Sequence, residues 1–177
     1  MSENGSKRIL VYTGLGKGKT TAALGTALRA WGHGQRVAVV HFGKSRRNIG
    51  EVMAIDKIPE IDQFVTGLGF LPPKDDPAFA DHIRAAEAGA DKAAELIQGG
   101  DYNLIVLDEV CWANARGLLT EERVLELIDL MHDDTALILT GRHAAQAIID
   151  RADTVTEMKV VKHGYDAGIA AQDGIEK

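Results

Sequence analysis

The sequence predicts an α/β fold with a mostly parallel central sheet and helices on both faces, and three observations carry that prediction. Four short runs rich in Val, Ile and Leu, at residues 8–13, 36–42, 103–107 and 136–140, are almost continuously apolar, as parallel strands covered on both faces must be. Between them lie stretches of helical composition at residues 19–31, 77–97, 121–131 and 143–149, so that strand and helix alternate along the chain. The first strand also runs directly into a glycine-rich turn and then a helix, the order in which such folds build a ligand site at the carboxyl ends of their strands.

The remaining composition bounds the function. With 177 residues, 45% apolar and 26% charged, the chain suits one domain with its own core. No repeat or composition break divides it, so residues 1–177 read as a single domain preceded by a short polar segment at 1–7. A net charge of -6 argues against a duplex nucleic-acid binder, which gains affinity from a basic face. The single cysteine, Cys111, excludes an internal disulfide framework and a multi-cysteine metal site. No apolar stretch approaches the roughly 20 residues of a membrane span, and the opening is too polar for a secretory signal. A cytoplasmic protein without membrane partners is expected.

The turn after the first strand reads Gly14, Leu15, Gly16, Lys17, Gly18, Lys19, Thr20, Thr21. Its glycines allow backbone N–H groups to curl around phosphate oxygens, and the following helix points its positive end at the same anion. Lys19 adds a point charge, Thr20 a hydroxyl for a magnesium ion, and Thr21 a further donor. This is a P-loop between its proper strand and helix, although Thr13 stands where the common pattern has a glycine, which makes the loop effectively one residue shorter. A P-loop NTPase-like fold binding a nucleotide follows.

The third apolar run ends in Asp108 and Glu109, two carboxylates at a strand's carboxyl end, where a phosphate-bound metal would sit. Arg142, after the fourth run, offers a planar guanidinium to oxyanions, and Lys162 and His163, after a final apolar-containing stretch at residues 154–161, could also approach the nucleotide. Residues 45–76, with Gly50, Gly67, Gly69 and the pair Pro72 and Pro73, read as an irregular functional loop region. The six histidines have no metal-ligand spacing. Cys111 beside Trp112 reads as packed rather than nucleophilic, and Trp31 as packing its helix against the sheet.

Taken together, the short loop, the Asp108-Glu109 strand, Thr140-Gly141-Arg142, Ala152 to Val155, Val161-Lys162-His163, Asp166 to Ile169, Ala171-Gln172 and Gly174-Ile175 resemble the P-loop class of ATP:cob(I)alamin (corrinoid) adenosyltransferases over nearly the whole chain. The resemblance implies transfer of the 5′-deoxyadenosyl group of ATP to the cobalt of a reduced corrinoid, cobalamin or cobyrinic acid a,c-diamide, with triphosphate leaving intact. It implies residues 14–21 for the triphosphate, with Lys19, Thr20 and Arg142 as the catalytic group. Thr20, Asp108 and Glu109 would hold Mg2+ or Mn2+, and Lys44 and Phe70 would face the corrinoid. An electron-donor flavoprotein and a homodimer are the macromolecular partners it suggests; many relatives carry an N-terminal extension that crosses to a partner subunit, whereas about seven residues precede the first strand here. The family favours Gly-Thr-Gly-Phe-Thr-Trp where this chain has Gly67-Leu68-Gly69-Phe70-Leu71-Pro72, and a glycine where it has Ser45. Loop and acidic pair would equally serve a general P-loop ATPase or kinase, and a nucleotide-gated corrinoid-binding protein without transfer is the alternative from a different class.

Overall fold

A computed structural model describes residues 7–45 and 49–176. The polar opening at residues 1–6 lies outside the described residues. Six strands, β1 (Arg8–Thr13), β2 (Val37–His41), β3 (Ile61–Val65), β4 (Leu104–Asp108), β5 (Ala136–Thr140) and β6 (Thr154–Glu157), form one sheet in the order β3-β2-β4-β5-β1-β6. Every pairing is parallel, so the sheet is more uniform than the mostly parallel one expected. Six helices connect the strands: α1 (Lys19–Gly32), α2 (Gly50–Ile55), α3 (Phe79–Gly99), α4 (Val110–Arg116), α5 (Glu121–Asp129) and α6 (Gln146–Asp150). None of them is long and apolar enough to cross a membrane.

Alternation along the strands divides the interior. Val37, Val39, Leu104, Val106 and Ile138 pack against Ala23, Leu24, Ala27 and Ala30 of α1 and Ile55 of α2. Ala38, Val40, Ile105, Leu107, Leu137 and Leu139 pack on the other face against α3, α4, α5 and α6. Small residues on α1 and α3 let the helix axes come close to the sheet, which explains their alanine-rich composition better than helix propensity alone.

Parallel register brings the strands' carboxyl ends onto one edge. His41 lies opposite Asp108, Tyr12 opposite Thr140, and Leu107 opposite Leu139. His41, Asp108 and Thr140 therefore form a row on the face covered by α1, at the level where residues 14–18 leave β1.

Several elements differ from expectation. The stretch at 45–76 contains α2 and β3, which leaves residues 66–76 as its longest irregular part among the described residues. A six-residue helix is too short to show a helical period, and β3 carries Asp62 and Gln63 within its five residues. The exposed edge strand β6 occupies the first half of the apolar-containing stretch at residues 154–161, which is not among the four apolar runs, and α4 begins directly after the acidic pair. Trp31 is 40% exposed and does not pack α1 on the sheet; its indole N–H donates to the Glu60 carboxylate at 2.9 Å. Cys111 is fully buried, and burial pushes its thiol up to about 12, in line with a packed rather than reactive side chain.

Candidate functional site

Residues 14–18 form the turn between β1 and α1, and Lys19, Thr20 and Thr21 begin the helix. The glycines have a packing reason as well as a phosphate-binding one. A Cβ on Gly16 would stand 2.7 Å from the Met158 carbonyl oxygen, because the Gly16 N–H donates to that oxygen at 2.6 Å. The segment after β6 thus braces the loop from outside. Lys19 Nζ donates to the carbonyls of Gly14 and Gly16 at 2.8 and 2.7 Å. Burial lowers its pKa below the ordinary lysine value, with Glu109 opposing and Arg142 reinforcing that shift.

Asp108 is the hub of the site. One carboxylate oxygen accepts the Thr20 hydroxyl at 2.8 Å and the Thr140 hydroxyl at 2.9 Å. The other accepts from Lys44 Nζ at 3.0 Å and lies 2.9 Å from His41 Nδ1. All four lone-pair positions of a carboxylate are thereby used. Burial alone would push Asp108 up, but the hydrogen bond from His41 and the Lys44 charge outweigh it and hold the group well below the carboxylate range. Lys44 also pairs with Glu51 at 2.8 Å; burial works to lower its pKa, and the two carboxylates win and raise it.

Glu109 is different. Its backbone is left-handed, with φ 65°, a conformation costing a non-glycine residue about 1–2 kcal/mol. The Thr140 hydroxyl accepts its N–H at 2.9 Å, so the strain is held by the same threonine that serves Asp108. Burial first, then the neighbouring Asp108 charge, raise its pKa. Gly141, with φ 138°, is forced to be glycine by the approach of α4: a Cβ there would collide with the Trp112 backbone N. That close contact sends Arg142 back over the phosphate loop.

Two clefts open on this edge. The larger, about 790 Å³ in volume, runs along residues 15–21 and is closed by Glu51, Glu109, Arg142, His163 and residues 174–176; its size suits a nucleotide. The second, about 460 Å³, lies between Lys44, Trp112, Arg116 and His143 and shares Glu109 and Arg142 with the first. It continues past Gly69, Trp112 and Arg116 into a third hollow walled by Phe70, Pro72 and Phe79.

The expected residues therefore sort by position. Leu15, Gly16, Lys17, Gly18, Lys19, Thr20, Thr21, Glu109, Arg142 and His163 line the nucleotide-sized cleft. Gly14 lies beneath it and binds Lys19, and Asp108 stands buried behind Thr20. Lys44 belongs to the second cleft and Phe70 to the third, while Lys162 is exposed and lines none of them. Lys17 donates to the Ile175 carbonyl at 2.8 Å and pairs with Glu176 at 2.7 Å, so the C-terminal segment docks on the loop. Sequence reasoning missed His41, Glu51 and the Thr140 hydroxyl. A signal existed for His41: it is the only polar residue of β2 and stands at the strand's carboxyl end, as Asp108 does in β4.

A wholly parallel sheet, a glycine loop clasping its own lysine and an acidic residue hydrogen-bonded to the loop threonine define a P-loop nucleotide-binding protein. A KaiC-like protein from Pyrococcus horikoshii has a similar fold, with a TM-score of 0.53 at 20% identity, over 88% of this chain and 72% of that one. Residues 6–176 match the family described as ATP:corrinoid adenosyltransferase BtuR/CobO/CobP, and the chain belongs to that family. Among its relatives is a corrinoid adenosyltransferase of Pseudomonas aeruginosa, 41% identical over 95% of this chain and 82% of its own length. Others are a corrinoid adenosyltransferase of Escherichia coli K12, 37% identical, and the corrinoid adenosyltransferase CobA of Salmonella typhimurium, 36% identical, each over 95% of this chain and 84% of the relative.

Proposed function

We propose that the protein transfers the 5′-deoxyadenosyl group of ATP to the cobalt of a reduced corrinoid and releases triphosphate. The observation that carries this reading is the shared wall: the nucleotide-sized cleft and the cleft leading to Phe70 meet at Glu109 and Arg142. Two substrates can therefore face one another there, which a simple ATPase does not need. An electron pair on cobalt attacks the ribose 5′-carbon, the carbon–oxygen bond breaks, and the pair leaves on the triphosphate. Cobalt is formally oxidised by two electrons and no proton moves, so no general base is required. The protein's work is to align the two reactants and to stabilise charge on the leaving group, which Lys19, the amides of residues 14–18 and Arg142 would do; all of them lie at or beside the nucleotide-sized cleft.

The residues fit a magnesium or manganese ion bound chiefly by phosphate oxygens and water. No three His, Cys, Asp or Glu side chains among the described residues gather as a cation cage, and Mg2+ commonly takes only one or two protein ligands. Thr20 would be the first such ligand and Glu109 the second. Asp108, with its oxygens already occupied, orients Thr20 rather than touching the ion. When bound, the ion neutralises charge on the departing triphosphate. The reading places the protein in the cytoplasm, supplied with reduced corrinoid by an electron donor such as a flavoprotein, and paired with a second copy as the family resemblance implies.

The test is anaerobic incubation with chemically reduced cobalamin and magnesium ATP. A light-sensitive cobalt–carbon product together with intact triphosphate supports the transfer. ATP breakdown to phosphate without an adduct would replace it with an ATPase, and corrinoid binding without either product with a binding protein.

A further inference from the structure

The hollow beyond Trp112 has an apolar wall and a cationic rim. Phe70, 92% exposed, stands with Pro72, Phe79 and Trp112, and the charged side chains lining the same hollow are Lys74 and Arg116. Neither forms a salt bridge among the described residues, in a chain whose net charge is -6. Both approach the C-terminal end of α4: Arg116 is its last residue, and Lys74 Nζ lies 3.4 Å from where a Gly117 Cβ would be. Helix-end stabilisation by an exposed cation is weak, and one basic group suffices for it. The nearby acids do not neutralise the pair: Asp76 accepts the Ala78 N–H at 2.8 Å, and neither it nor Asp75 lines the hollow.

Resting on the function proposed above, we infer that Lys74 and Arg116 are specificity-determining residues that select corrinoids bearing free carboxylates on the ring periphery. A corrin is a broad, largely apolar plate with polar side chains around its edge. A plate lying against Phe70 and Trp112 carries its edge to Lys74 and Arg116, where a carboxylate pairs charge with charge and can accept both arms of a guanidinium, whereas an amide offers only one neutral carbonyl acceptor. Rejecting the wrong periphery needs no chemistry at cobalt, so selection appears in KM and leaves the reacting atoms alone.

Three corrinoids separate the possible anions: cobyrinic acid a,c-diamide has free ring carboxylates, cobinamide has them amidated and lacks a phosphate, and cobalamin is amidated but carries the nucleotide-loop phosphate. The wild type is expected to prefer the diamide acid over cobinamide about tenfold in KM. In a Lys74→Gln, Arg116→Gln double variant that ratio falls towards one, and Lys74→Arg with Arg116→Lys restores it. Equal KM values for the three corrinoids in the wild type, or an unchanged ratio in the double variant, would overturn the inference. A preference for cobalamin that the double variant removes would assign the cations to phosphate and overturn the carboxylate claim. Spectral titration with each corrinoid in its Co(II) state, without turnover, reads the same ratio. Selectivity without adenosylation would then refute the proposed reaction and leave this inference standing, whereas adenosylation without selectivity would do the reverse.

Discussion

The two sides of the site are built by opposite means. On the nucleotide side, Asp108 ties together β2, β4, β5, α1 and the segment carrying Lys44 through four hydrogen-bonding partners, with Asp108, His41 and Thr140 fully buried. On the other side, the wall comes from residues 66–78 and the outer face of α4, and its most prominent aromatic is almost fully solvent-facing. The first arrangement is preorganised: each polar group is held by another before a ligand arrives, so charge stabilisation costs little reorganisation. The second offers surface and leaves the ligand to complete the packing. The contrast suits a reaction in which a polyphosphate must be gripped in one pose while a large, flat partner must enter and leave.

Breaking the hub is expected to have the largest effect. Asp108→Asn takes from buried His41 its carboxylate partner and leaves Lys44 with Glu51 alone, and should destabilise the fold by about 1–3 kcal/mol as well as abolish transfer; denaturant titration and the adduct assay measure the two losses. The sign with pH is fixed by the depressed carboxyl. Its stabilisation is fully present above the unfolded pKa of about 3.9 and is lost as pH falls towards the folded value. The stability gap between wild type and Asp108→Asn should therefore be constant from neutral pH downwards and narrow only in strong acid. A gap that closes near pH 6 would mean that Asp108 is not the hub.

Lys19→Ala comes next. Loss of a preorganised cation at the triphosphate should cost about 10²–10³-fold in turnover and weaken ATP binding, measured by calorimetric titration, with little change in Tm. Phe70→Ala belongs to the other side and is the sharper comparison. Its ring contributes little burial in the free protein, so Tm and ATP affinity should be unchanged while kcat/KM for the corrinoid falls about tenfold. An equal loss of ATP affinity would show that the two clefts do not divide the substrates.

The same contrast governs how much was legible in the sequence. The phosphate loop, four strands and the Asp108-Glu109 pair could be read because each is local: a glycine spacing, an apolar run, two adjacent acids. His41 stood out at the end of an apolar strand, but its partner and those of Glu51 and Thr140 could not be read, since they arise from register across β2, β4 and β5 and from the return of α2 towards Lys44. Residues 45–76 concealed α2 and β3 because a six-residue helix has no period to detect and a half-exposed edge strand no apolar run. The docking of Ile175 and Glu176 on Lys17 is likewise a contact between chain ends that no window along the sequence can contain.

The smallest expected effect bears on the junction between the two sides. Glu109 is strained and its carboxyl is raised by burial and by Asp108; the folded state thus holds its proton more tightly than the unfolded chain. A raised acid is a stability loss that appears as pH climbs through the interval between the two values and persists at neutral pH. Glu109→Gln removes the buried charge while keeping the shape, so it should stabilise the free protein by about 1 kcal/mol at pH 7 and show no gain at a pH below the ordinary glutamate value. If Glu109 touches the metal ion, the same substitution must weaken the response of turnover to magnesium. A variant that is more stable and equally active would leave the strained backbone at residue 109 with no catalytic purpose; one that is more stable and slower would identify the strain as the cost of holding a carboxylate where the two clefts meet.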